Sequence, residues 1–237
     1  MLTCIVSIER SDGKIIPFEY NYYLSMSVYS KLEIYQQEIK KLHQKNQQGI
    51  HTISNIISKD PKHGVNGLDI QKGFFILRSI DNRIGPYFRL GLSFDPHIRI
   101  VNTVYEVKSV KDSLGRLNGR GRVKFKTLSP VLVRDFGNRK LFVTDSDKVE
   151  QNLNLVTKWS LKNQFGISES VIEDISINLF EEHPRTVRVS SGIQKESKTR
   201  AFDLTGEIIG NPGILEVLYH RGLGSKTGLG LGCWETL

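Results

Sequence analysis

Five glycines fall within eleven residues near the C-terminus, in the run Gly222-Leu223-Gly224-Ser225-Lys226-Thr227-Gly228-Leu229-Gly230-Leu231-Gly232. Such a run cannot hold a stable helix, but each glycine lets the backbone take positive φ and approach a ligand closely. Successive N–H groups in such a loop can form a concave anion site, to which Lys226 adds a positive charge. The same composition also suits a loop that only has to turn sharply. Two nucleotide-cofactor readings fail. A phosphate-binding P-loop needs a Gly-Lys-Ser/Thr run, whereas Ser225 stands where the glycine before Lys226 is required; a dinucleotide-binding pattern counted from Gly222 needs glycine where Thr227 stands. Too few residues follow for the helix that either would require.

The other residues suited to chemistry are cations and histidines. Arg120, Arg122, Lys124 and Lys126 alternate, so on a strand they share one face while Val123 and Phe125 take the other. A second basic stretch contains Arg185, Arg188, Lys195, Lys198 and Arg200. Lys and Arg number 33 against 25 Asp and Glu, a formal charge of +8, and the isoelectric point is near 9.4. This balance points to a polyanionic partner, with phosphate contact the natural role of both stretches. Cys4 and Cys233 form neither a CxxC pair nor part of a His/Cys cluster, so neither a zinc site nor a disulfide framework is expected. No cofactor or metal is expected. No apolar run approaches the length of a membrane span, and a cytoplasmic protein is expected.

These residues need elements to position them. Residues 2–9 read as a buried strand. Val28, Leu32, Tyr35, Ile39 and Leu42 recur at helical steps and predict one amphipathic helix over about 25–45. Strands are predicted over 51–58, 67–79 and 97–110, with 80–94 ambiguous because Gly85-Pro86 and Gly91 interrupt a helical pattern. After a turn-rich basic connector the order begins again. A strand over 122–134 precedes a helix capped at Asp145 or Ser146 and stopped at Gly166. Strands over 171–180 and 186–209 follow, the second with a hairpin, and Asn211-Pro212 opens a short helix before a last strand near 232–235. Each half reads β-α-β-β-α-β, the split-βαβ arrangement. The expected class is therefore α+β, with one ferredoxin-like, RRM-like domain over 1–115, a second over 121–237, and the glycine-rich loop near the C-terminus.

The spacing Gly-x-Gly, five residues, Gly-x-Gly before a last strand resembles the C-terminal signature of the CRISPR-associated endoribonucleases that cut repeat RNA out of precursor transcripts, within the repeat-associated mysterious protein superfamily. Tyr22-Tyr23-Leu24 with Val28-Tyr29, Leu42-His43 with Thr52-Ile53-Ser54, Lys72-Gly73-Phe74-Phe75 and Thr127-Leu128-Ser129-Pro130 stand in the order that family shows. The resemblance implies two tandem ferredoxin-like domains and metal-independent cleavage, in which a 2′-hydroxyl attacks the adjacent phosphate and leaves a 2′,3′-cyclic phosphate and a 5′-hydroxyl. It implies CRISPR repeat RNA as partner, with a CRISPR effector complex or a homodimer as further assemblies.

By the same resemblance His43 stands at the catalytic histidine and Tyr29 at the catalytic tyrosine. Imidazole suits proton transfer because its ordinary pKa lies near 6.5. On one straight helix the two would be about 21 Å apart, so either the chain turns between them or only one serves the phosphate. Gly49 occupies the position of a basic residue often found in the family, with Lys45 as the nearest substitute cation and His51 as the reserve acid or base. The RNA-binding candidates are Gly222, Gly224, Lys226, Gly230 and Gly232 in the glycine run, Arg120, Arg122 and Lys124 in the stripe, and Arg188, Lys195 and Lys198 in the second basic stretch. The missing cation at Gly49 keeps open an alternative, a repeat-RNA-binding subunit with weak or no cleavage.

Overall fold

The computed structural model describes residues 1–33, 49–113, 117–138, 141–190 and 196–237. In the N-terminal half, β1 (Leu2–Asp12), α1 (Asn21–Leu32), β2 (His51–Ile53), the hairpin β3 (Lys62–Gly64) and β4 (Gly67–Asp69), β5 (Lys72–Ser79), α2 (Ile84–Phe94), β6 (His97–Ile100) and β7 (Thr103–Asp112) follow in order. The main sheet is antiparallel in the order β2-β5-β1-β7-β6. Its first four strands have the spatial order of a split-βαβ unit, and β6 adds an outer edge. Alternation along β1 turns Cys4, Val6 and Ile8 inward, where they meet Phe75 and Leu77 of β5 and Leu24, Val28 and Phe88 of the helices.

The ambiguous stretch over 80–94 is helical from Ile84, and Pro86 and Gly91, two of the residues that obscured it, both fit. Pro86 lies in the first turn, where no helical N–H is required. Gly91 lies where α2 crosses α1, and a Cβ there would overlap the Lys31 backbone. The single strand expected over 97–110 is instead the hairpin β6–β7. Its turn places Val101 at φ 55°, a left-handed conformation that no glycine or asparagine at that position announces. The expected strand over 67–79 is likewise split, with β4 pairing to β3 and only β5 joining the sheet.

The C-terminal half comprises β8 (Arg122–Thr127), α3 (Val149–Phe165), α4 (Glu169–Glu173), β9 (Ser176–Ser190), β10 (Glu196–Ile209), α5 (Pro212–Arg221) and β11 (Trp234–Thr236). Its antiparallel sheet runs β11-β8-β10-β9, again the split-βαβ order. The Asp145 carboxylate accepts from the Asp147 N–H at the 3-10 turn leading into α3, Gly166 ends α3 at φ 64°, and the Asn211 side chain caps α5. The strand expected over 171–180 begins only at Ser176, because α4 takes the preceding residues. Val123, Phe125, Phe202, Leu204, Leu215, Leu218 and Trp234 build the second core. The whole is a tandem ferredoxin-like fold.

The two halves meet along a seam. The Arg78 side chain is buried, with its guanidinium 3.7 Å above the Tyr219 ring. Its Nη2 donates to Tyr219 Oη at 2.7 Å and its Nη1 to the Trp234 carbonyl. Thr3 Oγ1 lies 3.5 Å from His220 Nε2, and burial holds the His220 pKa below its ordinary value. No helix among the described residues is long and apolar enough to cross a membrane.

Candidate active site

Alternation in β8 leaves Arg122, Lys124 and Lys126 exposed and buries Val123 and Phe125, as the stripe requires; Arg120 is exposed just before the strand. Carboxylates across the sheet face this stripe, with Arg122 Nε 3.7 Å from Glu207 and Lys126 Nζ 3.1 Å from Glu235. The second stretch divides. Arg188 stands 5.5 Å from the Tyr23 ring, and Lys198 Nζ donates to Glu19 at 2.8 Å, so both reach across to the segment that opens α1. The Lys198 ammonium holds the Glu19 carboxyl below its ordinary pKa. Arg185 pairs with Asp203 and Arg200 with the Thr144 carbonyl. Lys195 lies outside the described residues.

The glycine run occupies the seam itself. Gly222, Gly224, Gly230 and Gly232 take φ values of 85°, 74°, 75° and 74°, so they supply the backbone conformations for which glycine is suited. They are buried, and many of their neighbours' amides are engaged inside the protein. Leu223 N donates to the Gly232 carbonyl, Ser225 N to Leu132 and Gly232 N to Pro130, each at 2.8–2.9 Å. Across the seam, Asn21 Nδ2 donates to the Gly230 carbonyl at 2.9 Å and Thr52 Oγ1 to the Leu231 carbonyl at 2.8 Å. The run is therefore a packed wall rather than an open row of amides. Lys226 is its partly exposed charged member; burial first and the neighbouring Arg134 charge second lower its pKa.

Under the 3-10 turn Thr227–Leu229 of this wall, two sequence-derived candidates converge with the position of the missing cation. Tyr29 of α1 and His51 of β2 meet edge to face, with ring centroids 5.2 Å apart. Burial raises the Tyr29 phenol pKa, so at neutral pH the hydroxyl carries its proton. Gly49 completes the group. Thr227 Oγ1 donates to its carbonyl at 3.3 Å, and a Cβ at Gly49 would sit 2.7 Å from both the Gly228 amide nitrogen and Thr227 Oγ1. A lysine at this position would press its Cβ on the turn, so Thr227 and Gly228 would have to shift to admit it. His43, Lys45 and the distal part of the helix expected over 25–45 lie outside the described residues.

Sequence reasoning missed the polar side chains that hold the wall, Asn21 and Thr52, because their partners in it lie 209 and 179 residues away in the chain. It also passed over Gly228, whose neighbours are Tyr29 and His51.

Two ferredoxin-like units joined by a buried glycine wall, with a tyrosine and a histidine meeting beneath it, define a tandem ferredoxin-like class of protein. The chain belongs to the Cas6 family of CRISPR-associated proteins: residues 116–236 match the family model described as CRISPR associated protein Cas6, C-terminal, and residues 15–111 the model described as CRISPR-associated protein Cas6, N-terminal. A CRISPR-associated endoribonuclease Cas6 from Pyrococcus furiosus is 23% identical over 96% of this chain and 86% of its own length. A solved Cas6-related protein from Pyrococcus furiosus superimposes with a TM-score of 0.82 at 22% identity, covering 100% of this chain and 98% of that one. A solved RAMP protein described as binding different RNA substrates gives a TM-score of 0.84 at 23% identity, with 100% of each chain covered.

Proposed function

We propose that this chain is a metal-independent endoribonuclease that cleaves CRISPR repeat RNA in precursor transcripts, with domains over 1–115 and 121–237. The observation that carries the reading is the convergence of Tyr29 and His51 beneath the glycine wall, in a chain of the Cas6 family. Attack by a 2′-hydroxyl on the neighbouring phosphate requires removal of the hydroxyl proton, protonation of the departing 5′-oxygen and positive charge near the phosphorane. His43 is assigned the first or second of these tasks. The protonated Tyr29 phenol is suited to donating a hydrogen bond to the phosphate or the leaving oxygen, not to serving as the resting base. Lys45 and the partly exposed Lys226 are the cations assigned to the phosphate. Arg120, Arg122, Lys124, Arg188 and Lys198 hold flanking RNA, each neutralising backbone charge.

A second reading rests on Gly49. Because the wall fills the space a side chain would need there, the fold can retain repeat RNA as a subunit of an effector complex without cutting it. Incubation with the host's repeat RNA in EDTA, beside a substrate with a single 2′-deoxy at the cut site, separates the two. Cleavage of the first and not the second, with a 2′,3′-cyclic phosphate product, supports the enzyme. Tight binding with an intact strand supports the subunit, and full activity in His43→Ala removes His43 from the chemistry.

A further inference from the structure

Gly228 differs from the other glycines of the wall. Gly222, Gly224, Gly230 and Gly232 all have positive φ, whereas Gly228 does not, so its backbone conformation is open to other residues. Space is what singles it out. A Cβ at Gly228 would lie 2.5 Å from Tyr29 Oη and 3.2 and 3.3 Å from Cε1 and Nε2 of His51. The first of these distances is well inside van der Waals contact, and it involves the one atom by which tyrosine differs from phenylalanine.

The turn that carries Gly228 is held from several sides. Leu229 N donates to the Lys226 carbonyl at 2.9 Å and Thr227 Oγ1 to Gly49, while Asn21 and Thr52 hold the carbonyls of Gly230 and Leu231. Asn21 and Tyr29 belong to the same helix, about 12 Å apart along its axis, so α1 is gripped by the wall at both points. The buried His51 ring closes another side of the phenol.

We propose that Gly228 is a positioning residue, whose bare backbone seats the Tyr29 hydroxyl against the glycine wall and makes the site a joint product of both halves of the chain. Its catalytic consequence rests on the ribonuclease reading. The contact itself does not. Confinement between the turn and His51 fixes the direction in which the phenol presents its proton, which is what a pre-organised donor needs.

A double-mutant cycle with Gly228→Ala, Tyr29→Phe and the pair tests this. Thermal melting, RNA affinity and single-turnover cleavage in EDTA are read for each variant. The expected result is a melting temperature lowered by about 5 °C by Gly228→Ala alone, and by less than about half of that when Tyr29→Phe has removed the obstructing oxygen. Cleavage by Gly228→Ala should fall by about a hundredfold, to near the level of Tyr29→Phe, with the pair no slower and RNA affinity within about threefold of wild type. Equal melting losses in the two backgrounds would overturn the contact. Coupled melting with wild-type cleavage would overturn the positioning role. A wild-type chain that leaves repeat RNA intact would sink the ribonuclease reading instead, and the melting cycle would still decide the contact.

Discussion

Two places along the seam join the same halves of the molecule by different means. At one, Arg78 is buried between Tyr219 and the Trp234 carbonyl, a cation committed to ring and backbone partners. At the other, Gly49, Gly228, Tyr29 and His51 meet through backbone and ring edges, with Lys226 partly exposed beside them. The first contact spends its polar groups on the protein. The second brings a protonated phenol and an imidazole to one spot without enclosing everything around them. The difference separates an anchor from a candidate site, although both are built from contacts between distant parts of the chain.

If that separation holds, Arg78→Ala has the largest effect on stability. It leaves the Tyr219 hydroxyl and the Trp234 carbonyl without this donor and opens a cavity, a loss of about 3 kcal/mol. The melting temperature should fall by roughly 6–12 °C, while cleavage measured well below the transition stays close to wild type. Loss of cleavage in a folded Arg78→Ala protein would erase the distinction. Gly49→Lys sharpens it from the other side. Although it restores a cation, its Cβ collides with the Gly228 amide and Thr227 Oγ1, so cleavage should drop by about tenfold or more rather than rise. Faster cleavage by Gly49→Lys would show that the wall yields. Smallest is Lys124→Ala on the exposed stripe. It should weaken RNA binding by about two- to threefold and reduce the salt slope by a little under one, without changing the rate constant of the bound complex. A salt slope unchanged by Lys124→Ala would take the stripe out of the RNA path.

What could be read from the sequence follows how local each feature is. The caps at Asp145, Gly166 and Asn211 act within a few residues, and the alternation of Arg122, Lys124 and Lys126 depends only on the strand period. These were legible, as was the element order that gives the tandem ferredoxin-like fold. The β6–β7 hairpin was not, because Val101 takes a left-handed conformation with no glycine to mark it. In the candidate site, Tyr29, His51 and the glycine run could each be singled out, but their meeting could not. Gly228 lies 199 positions from Tyr29 in the chain, and no spacing rule connects them. The empty position at Gly49 reads in the sequence as a missing cation. In the fold it is a requirement of close packing against Thr227 and Gly228.

The central claim is that the seam around Tyr29 performs RNA chemistry rather than packing alone. The most direct test is single-turnover cleavage of repeat RNA in EDTA by wild type and Tyr29→Phe, with binding measured alongside. The account predicts cleavage by wild type and a rate about a hundredfold lower in Tyr29→Phe, at unchanged affinity. Equal rates for the two proteins would contradict it.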